Sequence, residues 1–144
     1  MSDNAQIYLV DADAPRIPDG ILAFSQSDTD ARVKISPNGL IIFTADCLRQ
    51  QINLVIADSP VEPVLEEPAS NDPWTSTKET SFAISSRHLT LASPSRVGTE
   101  AHGPRFSLTA SRLQARISWL EYDDDRYNVF RPRPDVVRIE LWPQ

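Results

Sequence analysis

The chain has 144 residues, 40% of them hydrophobic, with 20 acidic against 14 basic side chains for a net charge of -6. That length supports one domain with a core of its own and no disulfides or structural metal, so no second domain is expected. The acidic balance argues against sequence-independent binding to nucleic acid or anionic lipid, which both require a cationic surface, and favours basic partners instead.

The longest apolar run, residues 40–43, is too short to span a bilayer. Residues 1–6 lack a basic region followed by an apolar stretch, and Cys47 is the single cysteine. Both features lead to the expectation of a soluble, cytoplasmic protein without an intrachain disulfide.

In chain order, residues 7–10 form a short apolar run that reads as a first strand, ended by Pro15, Pro18 and Gly20. Residues 21–24 are a candidate second strand, and residues 25–30 have turn composition. Over 31–35, Val33 and Ile35 alternate with Arg32 and Lys34. Ser36-Pro37-Asn38-Gly39 is the sharpest turn signal in the chain. Proline presets one turn dihedral and Asn-Gly tolerates positive φ, so a tight hairpin to residues 40–45 is expected. Residues 46–50 fit either a helical turn or a loop, and 51–58 read as a strand with Ile52, Leu54 and Ile56 on one face. Residues 59–79, holding Pro60, Pro63, Pro68 and Pro73, are expected to be one long irregular connection. Strands follow at 81–85 and 88–92, then a second polar loop at 93–104 with Gly98 and Gly103.

The clearest periodicity lies near the C-terminus. Leu113, Ala115, Ile117 and Trp119 alternate with Gln114, Arg116 and Ser118, and Val137, Ile139 and Leu141 alternate with Arg138 and Glu140. Period two buries one face of a strand and wets the other, so these are expected to pair as antiparallel strands with Trp119 in the core. Trp142 falls out of phase and is expected on an exposed face or capping the end of the barrel. Counting the segments predicts an all-β, antiparallel β-sandwich of about eight to ten short strands.

Catalytic and metal-binding patterns are not evident. There is no Gly-x-Ser-x-Gly elbow, no helical histidine pair, no Cys-x-x-Cys and no glycine-rich phosphate loop, and only His88 and His102 are available as histidine bases. No cofactor, metal site or catalytic residue is assigned. Asp123-Asp124-Asp125 lacks the glycine and distal glutamate of a calcium loop. It reads as a solvated turn, as do Asp11 with Asp13 and Asp28 with Asp30. Arg126, Arg131 and Arg133, with Tyr127 and Phe130 between them, are read as neutralising that acidic run.

The connection at 59–79 carries the functional candidates. Glu62, Glu66, Glu67 and Asp72 surround Val64, Leu65 and Trp74, with no basic residue before Lys78. Acidic side chains around apolar anchors suit a basic protein partner, because charge steers the encounter and a buried anchor holds it. The other reading is a crossover between two sheets that Trp74 pins to the core. If the connection binds a partner, charge reversal at Glu66 and Glu67 should slow association without disturbing folding. Alternatives for the whole chain are a small-ligand or carbohydrate-binding sandwich stacking on Trp74, Trp142 or Tyr127, or a homo-oligomer joined through exposed edge strands.

The order of segments carries a resemblance. Strands at 40–45 and 52–57 precede Pro60, then a loop with Trp74, strands at 82–85 and 89–91, Phe106-Ser107-Leu108 before the strand at 113–119, and the closing Val136-Val137-Arg138-Ile139-Glu140-Leu141-Trp142-Pro143. Over residues 31–143 this resembles the family of competence protein J, the inhibitor of a bacterial DNA-entry nuclease. Where the family shows Pro-x-Gly before the penultimate strand, this chain has Thr109-Ala110-Ser111-Arg112. The resemblance implies a β-sandwich that neutralises a basic nuclease or toxin, in the manner of an immunity protein, and it assigns no catalytic residue.

Overall fold

The structure is a computed structural model and describes residues 6–44, 50–92, 104–122 and 133–144. Among these, nine strands are present: β1 (Gln6–Asp11), β2 (Val33–Ser36), β3 (Gly39–Phe43), β4 (Gln50–Ile56), β5 (Ser76–Ala83), β6 (His88–Ala92), β7 (Arg105–Ser107), β8 (Arg112–Leu120) and β9 (Asp135–Pro143). They form a five-stranded sheet A, ordered β2-β3-β1-β6-β7, and a four-stranded sheet B, ordered β4-β9-β8-β5. The all-β sandwich expected from the sequence is therefore present. Its antiparallel character needs one correction, because β4 and β9 run parallel. Alternation reports which face a side chain takes and is silent on the direction of the neighbouring strand.

The expected pairing of the C-terminal strands holds residue by residue. Ala115 faces Leu141, Ile117 faces Ile139 and Trp119 faces Val137 across antiparallel β8 and β9. These side chains meet Ile7, Leu9, Leu40, Ile42 and Leu89 of sheet A in one buried cluster between the sheets. Trp119 is fully buried there. Its indole Nε1–H donates to the Phe43 carbonyl at 3.0 Å, and the Arg32 guanidinium stacks 4.4 Å from the ring centroid while making a two-pronged bond to Glu121 at 2.9 and 2.8 Å.

Sheet A is buried on its outer face as well. Tyr8, Val10, Ile41 and Phe43 point away from the main core and are covered by Ile17, Ile21 and Phe24. The covering segment is not the second strand expected at 21–24. It is a 3-10 turn at Asp19–Leu22 followed by a short helix, α1 (Gln26–Ala31). Ser25 starts α1 with a capping box: its hydroxyl accepts from the Asp28 amide, and the Asp28 carboxylate accepts from the Ser25 amide at 2.9 Å. Arg32 ends the helix in the left-handed region at φ 66°.

The hairpin at Pro37-Asn38 joins β2 to β3 as expected, with Ser36 opposite Gly39. Positive φ is not its device, since Asn38 is not among the positive-φ residues. Gly39 is required for close approach instead, because a Cβ there would sit 2.0 Å from the Leu9 carbonyl oxygen.

Candidate protein-binding surface

Residues 57–75 join β4 to β5, which are the two edges of the same sheet. The connection must therefore cross the outer face of sheet B over β9 and β8, and it does so as a strap. This corrects the reading of 59–79 as an irregular crossover between two sheets, since β5 already begins at Ser76. At one end of the strap, Arg116 Nη1 donates to the Val61 carbonyl at 3.0 Å. At the other, the Thr75 amide donates to the Trp119 carbonyl at 2.7 Å and the Thr75 hydroxyl accepts from the Glu121 amide at 2.9 Å.

Beneath the strap lies a charged layer. Glu140 is 1% exposed and has Arg116 at 3.6 Å and Arg138 at 3.8 Å, with Glu79 a further 3.8 Å from Arg116. The Arg116 guanidinium lies 5.0 Å from the Trp142 ring centroid. Trp142 is buried, contrary to the expectation of an exposed or end-capping position. Its phase was read correctly, but the face it occupies is roofed by a segment far away in sequence.

Within the strap the chain folds back on itself. Glu66 and Pro73 make an antiparallel bridge, and the Glu67 amide donates to the Asp72 carbonyl at 2.8 Å. Asn71 turns the corner at φ 61°. The Trp74 indole donates to the Val64 carbonyl at 2.7 Å, so Trp74 ties the strap to itself rather than pinning it to the core.

The predicted binding residues separate into two groups. Glu62, Leu65 and Glu66 are exposed, Leu65 to 82%, and their apolar neighbour Val64 is exposed with them at 39%. Asp72 and Trp74 are half-buried, and the Tyr122 hydroxyl donates to Asp72 at 3.2 Å. Glu67 is a correction, because it is buried and unavailable to a partner. Its Oε2 accepts from the Ala69 and Ser70 amides at 3.0 and 2.7 Å. Burial pushes this carboxyl up, but those amides, the Ser70 hydroxyl and the charge of Arg138 outweigh it and hold its pKa below the usual glutamate value.

The remaining sequence candidates are dispersed. Asp11 is not a solvated turn residue: it is buried, and it accepts from the Ser86 hydroxyl at 2.6 Å and amide at 2.9 Å. Asp28 belongs to the α1 cap and pairs with Lys34 at 3.0 Å. His88 is half-buried at the start of β6, and Arg133 stacks 3.8 Å from the Tyr122 ring centroid. Cys47, His102, Asp123, Asp124, Asp125, Arg126, Tyr127, Phe130 and Arg131 lie outside the described residues. Among those described, no three His, Cys, Asp or Glu side chains converge on one point, and no helix is long and apolar enough to cross a membrane.

This arrangement of sheets has a known counterpart. The fold resembles that of ComJ. The crystal structure of ComJ, inhibitor of the DNA-degrading activity of NucA from Bacillus subtilis, superposes with a TM-score of 0.66 over 97% of this chain and 89% of that one, at 11% identity. A second structure, described as crocagin biosynthetic gene J, covers 98% of this chain and 92% of its own at 13% identity and a TM-score of 0.49. No family model matches the sequence, and no curated protein matches it either.

Proposed function

We propose that this protein works without catalysis, in the cytoplasm, by binding and neutralising a basic protein, of which a nuclease or a toxin is the leading class. The observation that carries this reading is the strap. Val64 and Leu65 are held outward by hydrogen bonds on either side, with the carboxylates of Glu62 and Glu66 flanking them in sequence. An apolar anchor on a pre-ordered loop loses little freedom when bound, and an acidic rim on a chain of net charge -6 draws a cationic partner to it. Similarity in fold to an inhibitor of a DNA-degrading protein adds support.

The small-ligand alternative is weakened at one of its three residues. Trp142 is buried with Arg116 over its ring and offers no free stacking face.

The test is capture from the native host's lysate at about 50 and about 500 mM salt, a range over which screening of exposed charges changes severalfold. Wild type and Glu62→Lys/Leu65→Arg/Glu66→Lys serve as baits. The reading expects a basic protein retained by wild type at low salt, released at high salt and not held by the variant, with its activity suppressed on rebinding. Equal retention by both baits would remove the strap from the account.

A further inference from the structure

The four sheet edges differ in how they are protected against pairing. Edge β2 has four residues with Lys34 among them, β7 has three including Arg105, and β5 carries Lys78 and Glu79. Shortness and charge are the usual defences of an edge. β4 has neither: it is seven residues long, Gln-Gln-Ile-Asn-Leu-Val-Ile, with no charge and no proline. Among the described residues no strand pairs with its outer side.

The direction of its free hydrogen-bonding groups follows from one contact. The Ala57 amide donates to the Leu141 carbonyl at 2.8 Å, continuing the parallel ladder with β9. In such a ladder alternate residues turn both backbone groups to the same neighbour. Asn53 and Val55 therefore point at β9, and Ile52, Leu54 and Ile56 present their N–H and C=O groups at the open edge. The side chains of these same three residues lie on the core side of the sheet. Leu54 packs against the core, while Ile52 and Ile56 are left 40% and 37% exposed, two residues to either side of it.

We propose that a second copy of this chain occupies this edge, its β4 running antiparallel to the first about a two-fold axis through Leu54. Leu54 then faces the partner's Leu54, and Ile52 faces the partner's Ile56. All three of the resulting pairs fall at positions whose backbone groups point outward, so each exchanges both of its N–H···O bonds. The symmetric placement of the two exposed isoleucines makes each cover the other, which a strand of unrelated sequence would not do. Charge points the same way. Two copies of net charge -6 repel each other in general, and this uncharged edge lets them meet without like charges opposed; Asp58 falls opposite the partner's Gln50. The inference is independent of the inhibitor reading, because it uses none of the strap residues.

Sedimentation equilibrium of the full chain over a concentration series is expected to show a species of about twice 16.1 kDa. Ile52→Lys/Ile56→Lys sets like charges opposite one another at two places across the axis and is expected to abolish that species while the circular dichroism spectrum stays native. Hydrogen exchange on the wild type supplies a reading that does not depend on the variant folding: the amides of Ile52, Leu54 and Ile56 should be protected in the dimer and lose protection on dilution. A monomer at every concentration would overturn the proposal. So would a dimer that survives the double substitution, or one in which those amides exchange as fast as in the monomer.

Discussion

Residues 12–32 cover sheet A with Ile17, Ile21 and Phe24, whereas residues 57–75 cover sheet B through polar groups, the Val61 carbonyl bonded to Arg116 and the inward Glu67 carboxylate stabilised by Arg138. In the first cover the apolar side chains turn inward and hold the segment to the sheet by burial. In the second, hydrogen bonds hold the segment, and its apolar residues Val64 and Leu65 turn outward. A cover secured by polar groups leaves its hydrophobic side chains free for another molecule, and this is what separates the candidate binding surface from the rest of the fold.

The comparison can be broken at several depths. The largest effect is expected where both sheets share one side chain: Trp119→Ala removes a buried indole and its bond to Phe43, and should cost about 3 to 5 kcal/mol in denaturant titration. An unchanged midpoint would remove Trp119 from the core. Next come one residue beneath each cover. Glu140→Gln leaves Arg116 and Arg138 without their buried counter-charge and should cost about 3 kcal/mol, a loss that salt reduces only slightly. Ile17→Ala should cost about 2 to 3 kcal/mol through a cavity, with no dependence on salt. If Glu140→Gln proves neutral, the strap is not secured through the charged layer.

A smaller effect is expected within the strap and carries a pH signature. The folded state lowers the Glu67 pKa, so as pH falls the unfolded chain takes up the proton first. Its contribution is complete above the ordinary glutamate range, from about pH 5 upward, and is lost as acid titrates the folded carboxyl. Glu67→Gln should cost about 1 kcal/mol at neutral pH and flatten the acid limb of the stability curve. An acid limb identical to wild type would mean that Glu67 does not fasten the turn. Charge reversal at Glu67 therefore tests folding, and only Glu62 and Glu66 remain suitable for testing steering.

What the sequence disclosed and what it concealed follow a physical division. The alternation of Leu113, Ala115, Ile117 and Trp119 settles a face at each position, and with it the pairing to Val137, Ile139 and Leu141 was legible. Pro37-Asn38-Gly39 was legible as a turn, although the need for glycine comes from the Leu9 carbonyl, which lies far off in the chain. The direction of β4 left no trace, because parallel and antiparallel neighbours impose the same period. Ser76 to Glu79 looked like loop because an edge strand with a wet face needs no apolar residues there. The inward turn of Glu67 and the burial of Trp142 were hidden for a common reason: both depend on the strap crossing the outer face. One signal was available, since a tryptophan sharing a face with Arg138 and Glu140 implies that the face is covered. Of the candidate surface, Leu65 and its acidic neighbours were legible in position, and their division into outward and inward members was not.

The smallest expected effects on stability belong to Leu65 and Glu66, and the central claim rests on that smallness. The most direct measurement is biolayer interferometry of the captured partner against wild type, Leu65→Ala and Glu62→Lys/Glu66→Lys, with melting temperatures recorded alongside. The account predicts melting temperatures close to wild type throughout, dissociation about tenfold or more faster for Leu65→Ala, and slower, less salt-sensitive association for the charge reversal. Unchanged rate constants for Leu65→Ala in a folded protein would contradict it and leave the strap as a cover alone.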